Sequence, residues 1–216
     1  MNSTTSRKDS NAALRAMIAA ERQELADLLD GLRPGQWDEP SLCTGWRVRE
    51  VAAHMSTGFR LSLPATVGAL AKARGNLHRM TDQVARKDAA AHSTADLAAF
   101  LRRGAHHPWT PPVGGFTAAL GHDVVHGLDI TVALGLGRRV PEDRLRVLLD
   151  AIRPSGLRFF GVDLTGVRLC AEDLDWSYGS GAPVHGAAQD LLLLAFGRRL
   201  PGGRLSGEPS SRFTAA

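Results

Sequence analysis

Two histidines one helical turn apart, in the stretch LGHDVVHGLDI, are the residues of this sequence best suited to chemistry. His122 and His126 are four positions apart. On an α-helix this is about 400° of rotation and about 6 Å of rise, so both would lie on one face, with Asp129 beside them. Imidazoles placed in this way can share a metal ion. The spacing predicts a metal-binding face, although such pairs also arise by chance in a chain with eight histidines.

A metal ion on this face would need at least one further protein ligand. The best candidate is His54, in VREVAAHM, because a second helix could project it inward, as in metal sites built between helices of a bundle. Glu50, one turn before His54, and Asp129 could support the ligands. Simpler roles stay open: His54 as a core histidine, Glu50 as a favourable acid in the first helical turn, and Asp129 as a side chain that only orients His126.

The elements that must position these residues are helices. Apolar residues recur with a 3.6-residue period, Ser93 and Asp96 have the form of a capping box, and HHPWTPPVGG is a loop. The predicted helices cover about 11–32, 46–55, 64–90 with a break near Gly75, 93–103 and 116–134. The four main helices among them, joined by loops, predict a mainly α protein in which residues 11–135 form an antiparallel four-helix bundle.

The pattern changes after residue 140, so we expect a first domain over residues 1–140 and a smaller one over 141–216. Pro141 should open a helix, and GAAQDLLLLAFGRR should form another. The alternating segments VRLCAED and DWSYG predict two short strands, and RLSG predicts a third. Together they predict a small α+β segment packed on the bundle.

Bulk composition narrows the function classes. The net charge is +4, and only three of the 26 basic residues are lysines, a bias typical of a high-GC bacterial genome. The basic residues are scattered rather than clustered, which argues against a nucleic-acid binder. No apolar run approaches the roughly 20 residues of a membrane span, and the polar N-terminus has no signal core. We therefore expect a cytoplasmic protein, and its two distant cysteines predict no disulfide framework.

Three segments, in order along the chain, resemble the mycothiol-dependent maleylpyruvate isomerase family. PSLCTGWRVREVAAHM resembles the family's Cys-x-Gly-Trp turn followed by Val-x-Ala-His. HDVVHGLDI resembles its Glu-x-x-x-His-Gly-x-Asp-Ile helix, and AEDLDWSYGSGAPVHGAAQDLLLLAFGRR resembles its C-terminal segment. The resemblance implies a DinB-like four-helix bundle that holds a divalent metal and uses the thiol mycothiol. The high-GC bias of the composition is compatible with an actinobacterial source that makes this thiol.

By position, the resemblance assigns His54, His122 and His126 as metal ligands. The family often has Glu where His122 stands. The ion would be zinc, or nickel or another first-row metal, since imidazole suits several. Its open position would hold a thiolate that attacks a small electrophile, either in maleylpyruvate-type cis–trans isomerisation or in thiol S-transfer. The alternative is a non-catalytic protein of this fold that binds a metal or a thiol conjugate.

The remaining assignments concern substrate and partners. Arg79 could bind a substrate carboxylate in bidentate fashion, although an exposed helical arginine is the simpler interpretation. Cys43 is interpreted as a turn residue, because mycothiol would supply the reactive thiol. No catalytic side chain is assigned. The expected partners are a small electrophile and the thiol cofactor, with no nucleic acid and no membrane, and the protein would be a monomer or a homodimer.

Overall fold

The helices follow the apolar spacing of the sequence. The computed structural model describes residues 2–215. Its contacts divide the chain into an N-terminal unit, Met1–Ile130, and a C-terminal unit, Thr131–Ala216. The predicted fold class is confirmed, because the described residues are mainly helical and form one small sheet.

Within the described residues, six α-helices begin in the N-terminal unit: α1 (Asn2–Asp30), α2 (Val48–Arg60), α3 (Leu63–Lys72), α4 (Leu77–Ala91), α5 (Thr94–Arg103) and α6 (Gly115–Ala133), and a 3-10 helix covers Pro34–Asp38. α1 packs against α5, and α2 packs against both α4 and α5. α6 joins them through a buried ion pair with α1 and a partly buried histidine contact with α2. In the part of the chain that the structure describes, no helix has both the length and the apolar character needed to cross a membrane.

Local sequence signals explain where these helices begin and end. Ser93 accepts a hydrogen bond from the Asp96 amide, and the Asp96 carboxylate accepts one from the Ser93 amide, which is the predicted capping box of α5. The third helical region breaks as expected: Arg74 and Gly75 have φ of 56° and 76° between α3 and α4. This left-handed turn is one that glycine adopts without steric cost.

The core of the N-terminal unit combines apolar side chains with an unusual set of charges. α1, α2, α5 and α6 bury an apolar stripe that includes Leu25, Leu29, Val51, Met55, Leu97, Leu101, Leu120 and Leu128. The same interior holds five charged residues that are at most 2% exposed: Glu21, Arg22, Glu50, Asp123 and Asp129. Charged groups are almost never fully buried unless they are paired, so each of these residues is expected to have a polar partner in the interior.

The C-terminal unit contains a four-stranded sheet and short helices. Its elements are α7 (Glu142–Asp150), α8 (Pro154–Phe159), β1 (Val167–Ala171), β2 (Ser177–Gly179), β3 (Ala182–Gly186), α9 (Ala188–Ala195) and β4 (Leu205–Ser206). The strand order is β2-β1-β3-β4. β1 pairs antiparallel with β2 and parallel with β3, and β3 pairs antiparallel with β4. Val167, Leu169, Val184, Leu191, Leu194 and Phe213 form the unit's apolar core.

Of the elements named above, β3 and α8 were not predicted. β3 has the sequence APVHG, and a proline normally argues against an inner strand. β4 pairs only with His185 and Gly186, so Pro183 needs no amide hydrogen for that ladder. α8 has six residues, which is too short for a helical period to emerge from the sequence.

Candidate metal centre

Three imidazoles from two helices meet inside the N-terminal unit. His54 comes from α2, and His122 and His126 come from α6. Their candidate ligand atoms all lie within 4.8 Å of one another. The Nε2 atoms of His54 and His122 are 3.2 Å apart. Two nitrogens bound to a tetrahedral zinc ion would be about 3.3 to 3.4 Å apart, so the spacing fits a shared ion.

Two of the rings are held by fully buried carboxylates. Nδ1 of His122 lies 2.8 Å from Oδ1 of Asp123, and Nδ1 of His126 lies 2.9 Å from Oδ2 of Asp129. An ionised carboxylate only accepts hydrogen bonds, so each neutral ring must donate through Nδ1 and keep its lone pair on Nε2. This is the tautomer that a metal ion bound at Nε2 requires, and the donor set therefore fits a divalent cation.

Asp123 has a second partner, the buried side chain of Arg22 on α1. The Nε atom of Arg22 donates to Oδ2 of Asp123 at 2.7 Å, and both side chains are 0% exposed. Nη1 of Arg22 donates to the carbonyl oxygens of Gly104 and His107, each at 3.0 Å. Arg22 therefore connects α1 with His122 and with the start of the loop that follows α5.

Cys43 lies beside the ring of His126. Its Sγ atom is 3.0 Å from Oδ2 of Asp129 and 3.7 Å from Nδ1 of His126. Cys43, His126 and Asp129 form a second group whose ligand atoms lie close enough together to hold an ion. The sequence gives no periodic signal for this contact, because Cys43 belongs to a turn and Asp129 follows it by 86 positions.

Two tryptophans flank the imidazoles. The ring centroid of Trp46 is 5.1 Å from that of His54, and the centroid of Trp109 is 5.3 Å from that of His122. Trp109 fits only because residue 58 on α2 is glycine: a Cβ atom on Gly58 would lie 2.2 Å from the indole ring. Trp109 stands in the predicted loop HHPWTPPVGG, where nothing in the sequence marked it as a neighbour of the histidines.

Glu50 and Arg79 are placed differently from the histidines. Glu50 is 2% exposed, and its carboxylate accepts hydrogen bonds from the backbone and guanidinium of Arg47 at 2.9 and 2.6 Å. Burial raises the pKa of Glu50, but the hydrogen bonds and charge of Arg47 outweigh it and hold that pKa below its usual range. Arg79 is exposed in the first turn of α4, and its backbone amide donates to the side chain of Asn76, the N-cap of that helix.

The comparisons with known proteins agree with the resemblance seen in the motifs, which is thereby confirmed. Residues 18–107 match the family model of the mycothiol maleylpyruvate isomerase N-terminal domain. A crystal structure of a histidine-to-alanine mutant of the mycothiol-dependent maleylpyruvate isomerase aligns with a TM-score of 0.56 and 15% identity, covering 94% of this chain and 93% of that one. A second structure of that isomerase gives a TM-score of 0.47 at the same identity and coverage. No curated protein matches the chain.

Proposed function

We propose that this protein is a metal- and mycothiol-dependent enzyme that acts on a small electrophile. The match of residues 18–107 to the mycothiol maleylpyruvate isomerase N-terminal domain supports this proposal. The observation that carries the proposal is the 3.2 Å separation between the Nε2 atoms of His54 and His122. His122 must keep its Nε2 lone pair because its Nδ1 donates to Asp123. The two Nε2 atoms therefore face each other at a distance suited to a shared divalent ion.

In this proposal, His54, His122 and His126 hold a divalent ion, zinc or another first-row metal such as nickel. Three neutral imidazoles leave the ion's full charge in place, and three protein ligands leave one position open in a tetrahedral site. When bound, the ion would supply a positive charge that lowers the pKa of a coordinated thiol, so that the thiol is a nucleophilic thiolate near neutral pH.

The surrounding residues prepare the site for that chemistry. Asp123 and Asp129 hold the proton on Nδ1 of their histidines and fix the direction of each ring. Trp46 and Trp109 cover the rings of His54 and His122 and reduce the access of water from those sides. The His122 and His126 side chains are 14% and 13% exposed, which leaves a narrow approach from solvent.

The first candidate reaction is cis–trans isomerisation of a maleylpyruvate-type substrate, the reaction named in the matching domain. Thiol addition to the cis double bond permits rotation, and loss of the same thiol gives the trans isomer, so no mycothiol is consumed. His122 favours a second candidate, S-transfer to an electrophile. With histidine where the related motif often has glutamate, the ion keeps more charge and would hold a thiolate more firmly.

Metal analysis tests the site. We expect the purified chain to contain about one divalent ion per molecule, and His54→Ala and His126→Ala to lose it. His106→Ala is the matched control, because His106 is an exposed histidine of the same unit. Stoichiometric metal in both His54→Ala and His126→Ala would overturn the ligand assignment.

Turnover assays separate the reactions. Maleylpyruvate and a generic electrophile would each be incubated with the metal-loaded protein and mycothiol, while product and free thiol are measured. Isomerisation forms product at constant thiol concentration, whereas S-transfer consumes one thiol per product. Metal binding without turnover of either substrate would overturn the enzymatic proposal and leave a non-catalytic metal- or thiol-conjugate-binding protein of this fold.

A further inference from the structure

The turn before α2 contacts Asp129 of α6 through both its backbone and a side chain. The amide of Leu42 donates to the backbone carbonyl of Asp129 at 3.0 Å, and the thiol of Cys43 donates to its carboxylate at 3.0 Å. Ser41 shapes the turn, since its hydroxyl accepts from the Cys43 amide and donates to the carbonyl of Trp46. Backbone and side chain of the turn thus converge on Asp129.

The thiol and the imidazole share one oxygen atom. Oδ2 of Asp129 lies 3.0 Å from Sγ of Cys43 and 2.9 Å from Nδ1 of His126. The Asp129 side chain is 0% exposed. A buried carboxylate is stable only when protein donors replace water. The thiol is one of these donors, and it limits the rotation of the carboxylate that holds His126.

The distances favour a hydrogen bond over metal ligation by Cys43. A sulfur and an oxygen bound to the same tetrahedral zinc ion would be about 3.5 Å apart. Here Sγ of Cys43 and Oδ2 of Asp129 are only 3.0 Å apart, as two atoms that share a proton would be. Nδ1 of His126 also carries a proton toward Asp129, so this nitrogen has no lone pair to offer an ion.

We propose that Cys43 is a positioning residue of the metal centre: its thiol fixes Oδ2 of Asp129 and thereby the orientation and the Nδ1–H tautomer of His126. The metal part of this proposal rests on the proposed function. The hydrogen bonds of Asp129 with Cys43 and His126 join protein atoms only, so they can be tested whether or not a metal binds. The proposal adds a chemical role to a residue that the sequence assigned only to a turn.

The test compares Cys43→Ala and Cys43→Ser with the unaltered full chain, and Cys170→Ala is the control because Cys170 is the other half-buried cysteine. Partners that orient a metal-bound histidine contribute about 10- to 100-fold to metal affinity. Because Cys43 acts through Asp129, we expect Cys43→Ala to weaken zinc binding about tenfold, at the lower end of that range. Serine also donates a hydrogen bond, so Cys43→Ser should recover most of this loss.

Two spectroscopic measurements separate positioning from a purely structural role and from ligation. In the metal-free protein, nitrogen-15 NMR should show the Nδ1–H tautomer of His126 in the unaltered chain and in Cys43→Ser, and a mixture of tautomers in Cys43→Ala. With Co²⁺ in place of zinc, the absorption spectrum should contain no sulfur-to-cobalt charge-transfer band. Thermal unfolding confirms that each variant is folded.

The outcomes are distinct. Unchanged zinc affinity and an unchanged His126 tautomer in Cys43→Ala would overturn the positioning role, and so would a charge-transfer band that Cys43→Ala removes, since Cys43 would then be a ligand. An unaltered chain that binds neither zinc nor cobalt would overturn the proposed function instead. In that case the NMR measurement alone still decides the role of Cys43.

Discussion

Behind His122, the buried carboxylate of Asp123 pairs with the buried guanidinium of Arg22. Asp123 accepts from Nδ1 of His122 with one oxygen and from Nε of Arg22 with the other. The Arg22 guanidinium also lies over the ring of Phe59, 4.9 Å from its centroid. The position of His122 therefore depends on a cation on α1, which the local sequence around the histidines does not reveal.

Replacing Arg22 should destabilise the protein strongly. Arg22→Met would leave the carboxylate of Asp123 buried without its cation, and breaking a buried pair in this way costs about 3–5 kcal/mol. Urea unfolding measures the change in the free energy of unfolding. Arg102→Met is the control, because Arg102 pairs with Asp27 and Asp30 at the surface and should change stability little. Equal effects of the two substitutions would contradict a structural role of the buried pair.

At the residue scale, the sequence revealed the three histidines but few of their partners. Spacing on one helix placed His122 with His126 and Asp129, because a turn of helix is a local property. Arg22, Cys43 and Trp109 come from other elements, and their contacts depend on how helices pack. No short-range pattern encodes such contacts, so only the structure could find them.

The start of α2 sets the register of His54. Glu50 accepts from the Arg47 amide at 2.9 Å, which satisfies one of the donors left open at a helix N-terminus. Glu50 is one turn before His54, so the residue that fixes the helix start also fixes the face on which His54 lies. The sequence predicted this helix and the shared face, but the partnership with Arg47 was not among the predictions.

Glu50→Gln should lower stability in a pH-dependent way. The folded-state pKa of Glu50 is below its usual value, so its contribution to stability is complete above the unfolded-state pKa of about 4.3 and is lost as the pH falls through the folded-state pKa. The difference in free energy of unfolding between Glu50→Gln and the unaltered chain should be largest near pH 7 and shrink below about pH 4. A difference that stays constant between pH 7 and pH 3 would contradict this assignment.

Gly58 on α2 leaves the space that the indole ring of Trp109 occupies. Gly58→Ala would force its Cβ into the indole, only 2.2 Å away. We expect a loss of about 1–3 kcal/mol, typical of overpacking, and a change in tryptophan fluorescence as Trp109 leaves the ring of His122. Gly68→Ala on α3 is the matched control: its Cβ would meet nothing within 4 Å, so it should stabilise by about 0.5–1 kcal/mol. Similar effects of Gly58→Ala and Gly68→Ala would contradict the close packing of Trp109 against Gly58.

At the scale of the whole molecule, all of the candidate ligands lie in the N-terminal unit, Met1–Ile130. The sequence predicted this helical part well, because long amphipathic helices give a repeated signal. It predicted the C-terminal unit less completely: β3 is short and contains Pro183, and it pairs in parallel with β1 although β2 lies between them along the chain. Local propensity does not report such pairings.

A bound divalent ion should stabilise the protein against unfolding most strongly in α2 and α6, which carry the candidate ligands. An ion at 100 times its dissociation constant adds about 2.7 kcal/mol to the free energy of unfolding. Hydrogen exchange in the presence and absence of zinc should show the largest gain of protection in α2 and α6. His54→Ala should lose the gain, whereas His106→Ala should keep it. Equal gains in His54→Ala and in the unaltered chain would show that zinc binds elsewhere.

The attachment of the turn to Asp129 also has a consequence for the evolution of this chain. Cys43 and Asp129 are 86 positions apart, yet the hydrogen bond between them makes the thiol useful only while the carboxylate is present. A lineage that replaced the carboxylate would leave the thiol without this acceptor and relax selection on it, whereas a lineage that replaced the thiol would keep a carboxylate that still holds His126. Among descendants of a common ancestor, these two positions should therefore change together more often than either changes with its neighbours in sequence.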